Sequence, residues 1–138
     1  MNVEQAVPML GVRDMAASLR FYVDGLGFTR TRQWIDEGVL RWCWLEMDGA
    51  AVMLQMFWTD GHHRNVPDTP VGLGMSINFI CRDAITLYRA FTTRGVKASV
   101  PFVGNGMWVT GVDDPDGYML FFESPTEVPE ETVWSPAG

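Results

Sequence analysis

Glu123 is the residue of this sequence whose type and position most directly suggest acid–base chemistry. It lies in the stretch DDPDGYMLFFESP (113–125), which is typical of a turn followed by a strand. Alternation along that strand places Glu123 on one face with Met119 and Phe121. A carboxylate in an apolar pocket can act as a general base, and polar side chains on neighbouring strands can stabilise an oxyanion. The candidates for that second role are Ser76, Asn78 and Gln55.

The histidines and cysteines give weaker signals. His62 and His63 are the only histidines and are adjacent in a turn-rich segment, where they would bind a metal only if other donors approached. The ordinary alternative is a pair of solvated loop residues. Cys43 and Cys81 lie far apart in apolar strand-like segments, so we expect free buried thiols rather than a disulfide or a metal pair.

Six tryptophans offer planar surfaces that suit stacking against an aromatic ligand. Trp42 and Trp44 share one face of a predicted strand, and Glu46 on that face is placed to meet a cationic group of a ligand. The alternative is that the indoles fill a core or a dimer interface and that Glu46 is solvated at a strand end.

The elements that must position these residues occur twice along the chain. Each half reads as strand, helix and three strands, with Asp14 and Asp83 as predicted helix N-caps. The dipeptide RD at 13–14 returns at 82–83, an offset of 69, and DG at 48–49 returns at 116–117, an offset of 68. This repetition indicates duplication. It predicts one domain, 1–138, made of a βαβββ module at 6–58, a linker loop at 59–72, a second βαβββ module at 73–125 and a loose acidic tail at 126–138.

Each module is expected to cover one face of its half-sheet with a helix and to leave the other face open. Strand alternation assigns to the covered face Pro8, Leu10, Val12, Val52, Leu54, Met56, Ile77, Phe79, Cys81, Tyr118, Leu120 and Phe122. It assigns to the open face Val7, Met9, Gly11, Met53, Gln55, Phe57, Ser76, Asn78, Ile80, Met119, Phe121 and Glu123. The 68-residue offset carries Leu40 onto Trp108, which predicts that Trp108 points the same way as Trp42. Such a mixed face is typical of a small-molecule pocket, and a half-exposed sheet surface is the alternative.

Composition limits the classes of partner. The chain has 138 residues, a length that is enough for one domain with its own core. Its content of 47% hydrophobic and 20% charged residues is ordinary for a globular protein. Seventeen acidic and ten basic residues give a net charge of −7 with no basic stripe, so nucleic acid is not an expected partner. No apolar run is long enough to cross a membrane and no signal peptide is recognisable, so we expect a cytoplasmic protein.

The segments PMLGVRDMAASLRFYVDGLGF and DPDGYMLFFESP resemble the signature segments of the vicinal oxygen chelate superfamily, which includes glyoxalase I, extradiol dioxygenases and bleomycin resistance proteins. The resemblance runs from about Val7 to Pro125. It implies an α+β fold in which two tandem βαβββ modules form an open, incomplete β-barrel, completed in a homodimer with the ligand in a groove. In the metalloenzyme branches four inner positions hold a divalent metal, and here the resemblance places those positions at Val7, Met53, Ser76 and Phe121. None of these is an imidazole, carboxylate or thiolate donor, so we expect neither metal nor other cofactor.

Two functions follow as hypotheses. The first resembles the bleomycin resistance branch: a homodimer that binds a small organic molecule, such as a cationic or aromatic antibiotic, without turning it over. Its groove would be lined by Trp42, Trp44, Glu46, Gln55, Phe57, Ser76, Asn78, Trp108, Phe121 and Glu123. The second is a lyase, isomerase or dioxygenase-type enzyme of the same superfamily, metal-free or with an unusual site, in which Glu123 is catalytic. A bare dimerisation module is a third possibility.

Overall fold

The computed structural model describes residues 2–137, and the chain divides into two compact units, Met1–Asp68 and Thr69–Gly138. In the first unit the elements are β1 (Met9–Val12), α1 (Met15–Leu19), β2 (Thr29–Asp36), β3 (Val39–Met47) and β4 (Ala50–Met56). In the second unit they are β5 (Ser76–Ile80), α2 (Ala84–Thr93), β6 (Phe102–Gly104), β7 (Met107–Asp113) and β8 (Met119–Pro125). The predicted α+β class and the repeated βαβββ order are confirmed.

The first unit is a four-stranded sheet with the strand order β1-β4-β3-β2, in which β1 runs parallel to β4 and the other neighbours are antiparallel. One face is fully buried and carries Leu10, Val12, Cys43, Leu45, Val52 and Leu54. This face packs on the helix, where the Sγ atom of Cys43 lies 4.0 Å from the Sδ atom of Met15. After Leu19 the helix continues with π-type hydrogen bonding over Arg20–Leu26 and ends at Gly27, whose φ of 100° suits a glycine.

The second unit repeats this design with the strand order β5-β8-β7-β6. Its buried face carries Phe79, Leu120 and Phe122, and the ring of Phe122 stacks on Phe79 at 4.9 Å and meets Phe91 of α2 edge-on at 5.0 Å. Helix α2 is also tied to the sheet by a hydrogen bond from the Ala84 backbone N–H to Ser124 Oγ. The helix-covered faces therefore follow the predicted alternation in both units.

Both predicted N-caps are present. Asp14 accepts a hydrogen bond from the backbone N–H of Ala17, and Asp83 accepts hydrogen bonds from the N–H groups of Ile85 and Thr86. The Thr86 hydroxyl also donates to Asp83 at 2.8 Å, and these contacts hold the pKa of the Asp83 carboxyl below its usual value, the N–H of Thr86 being the largest cause. Each carboxylate satisfies N–H groups that a helix start leaves unpaired.

The first strand after helix α2 is short. Only Phe102–Gly104 forms β6, while Ala98 makes an isolated bridge to Val112. Pro101 lies immediately before β6, and proline has no N–H to donate to a strand ladder. The interruption shortens this edge strand to three residues.

The acidic tail is not loose, so that expectation was wrong. The N–H of Val103 donates to Thr132, the N–H of Glu131 donates to Val103, and Phe102 bridges Val133. The indole of Trp134 lies against Tyr88 of α2, with ring centroids 5.6 Å apart. The tail adds strand-like pairing to the outer edge of β6, because its backbone supplies the hydrogen bonds that a three-residue edge strand leaves unmade.

Within residues 2–137, no helix combines the length and the apolar composition needed to cross a membrane.

Candidate functional site

The uncovered face of the first sheet gathers aromatic, thioether and polar side chains. We call it the first open face. Strand register places on it Met9, Gly11, Arg32, Trp34, Trp42, Trp44, Glu46, Met53 and Gln55. Trp34 and Trp42 are direct neighbours across β2 and β3, and Trp44 follows two positions later on the same face. Three indoles therefore share one sheet surface, opposite the helix-packed core.

Trp44 is held between two charged groups. The guanidinium carbon of Arg32 lies 4.3 Å from the centroid of the Trp44 ring, and the indole Nε1–H donates a hydrogen bond to Glu46 at 2.8 Å. The predicted proximity of Glu46 and Trp44 is thus observed as a direct contact. Arg32 was not among the expected site residues, although its two-residue spacing from Trp34 is an alternation signal that places both on one face.

Phe57 lies over β1 at the end of the first open face. A Cβ atom built on Gly11 would stand only 2.3 Å from Cε1 and Cζ of the Phe57 ring, so the ring occupies the space that a side chain would take. The guanidinium carbon of Arg13 is 5.9 Å from the same ring. Gln55 lies directly opposite both Gly11 and Trp42 in the register. Gln55 and Phe57 therefore occupy the face on which they were predicted.

The face of the second sheet opposite helix α2 is more aliphatic, and we call it the second open face. Its members are Ser76, Asn78, Ile80, Val109, Gly111, Met119, Phe121 and Glu123. The amide of Asn78 donates a hydrogen bond to Ser76 Oγ at 2.9 Å. Glu123 is half-buried with Ile80 and Val109 as its cross-strand neighbours, and Phe121 lies over Gly111. The carboxylate and the two small polar side chains do share one face, as predicted.

Trp108 does not join that face, so its predicted orientation was wrong. In the register Trp108 stands opposite Ser124 and Val103, on the helix-covered side of the second sheet. The prediction used Leu40 as the reference position. A register shift between Trp34 and Ile35, which pair with Trp42 and Leu40, breaks the alternation of the first sheet at that point. Leu40 is therefore no guide to the face occupied by Trp42.

The histidines lie in the loop that follows β4. The rings of His62 and His63 are 3.9 Å apart and exposed, and His63 lies 6.1 Å from Trp58. The guanidinium of Arg41 also packs on the ring of Trp58, with its carbon 3.6 Å from the ring centroid. In the part of the chain that the structure describes, no three His, Cys, Asp or Glu side chains come together as a metal-binding group.

The positions that the fold family uses for a divalent metal do not fit one in this chain. Met53 and Phe121 lie on the two open faces and Val7 precedes β1, and none of these three side chains is a donor for a hard or borderline cation. Ser76 offers only a hydroxyl, which already accepts from Asn78. These four side chains therefore do not suit a divalent metal at the position that the fold family uses.

Both cysteines are free thiols. Cys43 is fully buried and Cys81 is half-buried, with its Sγ directed to the backbone carbonyl of Glu123 at 3.5 Å. Burial is the main cause that raises the pKa of each thiol. A raised pKa keeps a thiol protonated and unreactive near neutral pH, so neither cysteine has the character of a nucleophile.

Solved structures with the same fold support this description. TnmS3, an antibiotic binding protein from Streptomyces sp. CB03234, superposes with a TM-score of 0.67 at 20% identity, covering 91% of this chain and 99% of that one. A glyoxylase/bleomycin resistance protein/dioxygenase domain from Frankia sp. EAN1pec gives a TM-score of 0.69 at 16% identity, covering 94% and 96%. A glyoxalase/bleomycin resistance protein/dioxygenase from Nocardioides gives 0.69 at 17% identity, covering 98% and 92%.

At these identities the structures establish a common fold and no more. Among curated proteins, no sequence matches this chain. The sequence model of one family does match it, over residues 5–122, which is most of its length. The chain therefore belongs to the glyoxalase/bleomycin resistance protein/dioxygenase superfamily.

Proposed function

We propose that the protein binds a planar aromatic small molecule on the first open face and holds it without chemical conversion and without a metal. The observation that carries this proposal is the placement of Trp34, Trp42 and Trp44 on one uncovered sheet face. Indole rings present flat, polarisable surfaces, and each stacked aromatic pair contributes about 0.5–1.5 kcal/mol beyond the area it buries.

The charged groups on this face favour a cationic ligand. Glu46 accepts only the indole N–H of Trp44 among its hydrogen bonds to described residues, and its exposed carboxylate has room for a second donor. The net charge of −7 adds a long-range attraction for cations. Arg32 covers one side of Trp44, so a ligand that stacks on that side of the ring replaces the guanidinium.

The class of ligand is suggested by one of the structural relatives. TnmS3 is described as an antibiotic binding protein. We extend this to the present chain and propose that its ligand is a cationic aromatic antibiotic, sequestered in a groove of a homodimer. Of the remaining predicted contacts, Gln55 and Phe57 lie on the first open face and are part of this proposal, whereas Ser76, Asn78, Phe121 and Glu123 lie on the second open face.

Calorimetric titration with two cations of different shape tests this proposal. Proflavine is a planar aromatic cation, and adamantan-1-amine is a compact aliphatic one. We expect saturable binding of proflavine alone, weakened on the order of tenfold by Trp42→Leu or Trp44→Leu, which each remove one stacking surface. Trp134→Leu is the matched control, because Trp134 lies in the tail against α2. Equal binding of both cations, or equal effects of all three variants, would overturn the proposal.

A second candidate function is catalysis by Glu123. It is favoured by the presence of Glu123, Asn78 and Ser76 on the second open face, where the hydrogen bond from Asn78 fixes the Ser76 hydroxyl. In this scheme Glu123 removes a proton from a bound substrate and the amide or hydroxyl stabilises the resulting oxyanion. The variant Glu123→Gln keeps the shape of the side chain and removes the base. It should retain proflavine binding if the protein is a binder, and it should abolish turnover if the protein is an enzyme.

A further inference from the structure

The turn between β6 and β7 consists of Asn105 and Gly106. Gly104 and Met107 pair with each other on either side of it. Asn105 has a φ of 53° and Gly106 a φ of 74°, so both lie in the left-handed region. A hairpin turn of this type requires a positive φ at both central positions, and Asn–Gly is the dipeptide that adopts it most readily. The conformation of the turn therefore explains both residue types.

The same dipeptide can react with itself. The backbone nitrogen of Gly106 can attack the side-chain amide carbon of Asn105, because glycine has no side chain that obstructs the approach. The nitrogen gives up its proton, the new C–N bond closes a succinimide ring, and the side-chain nitrogen of Asn105 leaves as ammonia. Water then opens the ring at either carbonyl, which leaves aspartate or isoaspartate at position 105. Both residues are exposed, so water reaches the ring.

The tail holds this turn in place and acts on the attacking nitrogen. One carboxylate oxygen of Glu130 accepts a hydrogen bond from the N–H of Gly106 at 3.0 Å, and the other accepts from the N–H of Asn105 at 2.6 Å. The backbone N–H of Thr126 donates to the carbonyl of Gly106 at 2.9 Å. The attack needs a deprotonated nitrogen, and a carboxylate beside that nitrogen disfavours its negative charge. Glu130 is therefore placed to slow the reaction.

The products of the reaction do not fit the same contacts. The succinimide nitrogen carries no hydrogen, so its hydrogen bond to Glu130 is lost. Aspartate at position 105 sets a second carboxylate near Glu130, within the roughly 8 Å over which salt leaves charges unscreened, because Glu130 binds the N–H of that same residue. Isoaspartate lengthens the backbone of the turn, and the length of a hairpin loop selects its turn type. Each product therefore weakens the anchor of the tail.

We propose that the Asn105–Gly106 turn is a deamidation site restrained by Glu130, and that its conversion detaches the tail from the edge of β6. The tail pairs with that edge through its backbone, where the N–H of Val103 donates to Thr132. Once the tail is detached, the outer side of β6 presents unpaired backbone groups to solvent or to another chain. The reaction consumes only water and releases ammonia, so it changes each molecule once and in one direction.

Peptide mass spectrometry of the full chain, aged in mildly alkaline buffer, tests the site. We expect position 105 to deamidate in the native wild type, on the order of tenfold more slowly than in urea, where the turn is open. Glu130→Gln keeps the length of the side chain and removes its charge, so it should speed the native reaction toward the rate in urea. Glu127→Gln is the matched control, because it makes the same change of charge at an exposed tail residue that does not hold these N–H groups. Equal rates in the two variants, or no reaction at position 105 in the wild type, would overturn the proposal.

Hydrogen exchange of the Val103 amide tests the detachment of the tail. The deamidated fraction, separated by its added negative charge, should exchange this amide on the order of tenfold faster than the unmodified fraction, because the acceptor Thr132 lies in the tail. Asn105→Gly is the control, since glycine adopts a φ of 53° and has no side-chain amide to lose. Its Val103 exchange should stay constant on ageing. Unchanged Val103 exchange in the deamidated fraction would show that the tail stays docked, against the proposal.

Discussion

The ring of Phe57 occupies the place of a side chain at Gly11: a Cβ built there would lie 2.3 Å from two ring carbons. In the second sheet the corresponding contact is looser, because a Cβ on Gly111 would lie 3.0 Å from Oγ of Ser99 and 3.1 Å from Cε1 of Phe121. Gly11 therefore leaves the space that the Phe57 ring fills on the first open face.

Gly11→Ala is expected to displace the Phe57 ring and to lower the free energy of unfolding by about 1–3 kcal/mol, the usual cost of overpacking. Chemical denaturation measures this change. In a Phe57→Ala background the same substitution should cost much less, because the clashing ring is gone. An equal cost in both backgrounds would show that Gly11 is required for a reason other than Phe57.

Asp83 is expected to make stability depend on pH. The pKa of Asp83 is lowered in the folded protein, so its contribution is fully present above the unfolded value of about 3.9 and is lost as pH falls through the lower folded pKa. Asp83→Ala should cost about 0.5–2 kcal/mol at pH 7 through loss of the cap.

The matched variant for this test is Asp83→Asn, which keeps a cap acceptor without the charge. Its difference from the wild type in urea denaturation should begin to shrink below about pH 4, where the carboxyl of the unfolded chain becomes protonated, and should be lost once the pH falls below the lower pKa of the folded protein. A difference between Asp83→Asn and the wild type that stays constant from pH 7 to pH 3 would contradict the role of the ionised carboxylate.

The two thiols are expected to differ in accessibility to a reagent. The accessible one, Cys81, should react slowly at neutral pH. Cys81 is half-buried and Cys43 fully buried, and the pKa of each is raised by burial. Titration with a disulfide reagent should modify Cys81 alone in the native protein, at a rate that rises with pH as the thiolate forms, and Cys43 only after unfolding. Cys81→Ser should remove the native-state reaction, and two equally fast thiols would contradict this structure.

The tail is expected to protect the edge of β6 from hydrogen exchange. Glu130 accepts hydrogen bonds from the N–H groups of Asn105 at 2.6 Å and of Gly106 at 3.0 Å, at the turn between β6 and β7. Glu130→Ala removes both acceptors and should destabilise the tail by about 1–3 kcal/mol, since each bond contributes about 0.5–1.5 kcal/mol.

The Val103 amide, which donates to Thr132, reports whether the tail is in place. Its exchange should accelerate in Glu130→Ala, while the amide of Val109 in the adjoining strand should stay unchanged. Equal exchange of the Val103 amide in both proteins would show that Glu130 does not anchor the tail.

Alternation within a strand was sufficient to predict much of the candidate site. β8 runs without a bulge, so the positions of Phe121 and Glu123 on its open side followed from their spacing alone. The two N-caps could also be predicted from local sequence, because each aspartate lies within three residues of the N–H groups that it caps.

Features that depend on distant parts of the chain were missed. The contact of Arg32 with Trp44 exists because β2 pairs with β3 in one particular register. A shift in that register places Leu40 and Trp42 on different faces, which is why the predicted face of Trp108 was wrong. The docked tail depends on a backbone ladder between segments about thirty residues apart, and its composition gave no sign of this.

The most direct test of aromatic stacking on the first open face is the ¹⁵N–¹H spectrum of the six indole groups during titration with proflavine. Six Trp→Phe variants assign the signals. If the ligand stacks on this face, the indole signals of Trp34, Trp42 and Trp44 shift in proportion to binding while those of Trp58, Trp108 and Trp134 stay in place. Binding that moves only the second group of signals would contradict it.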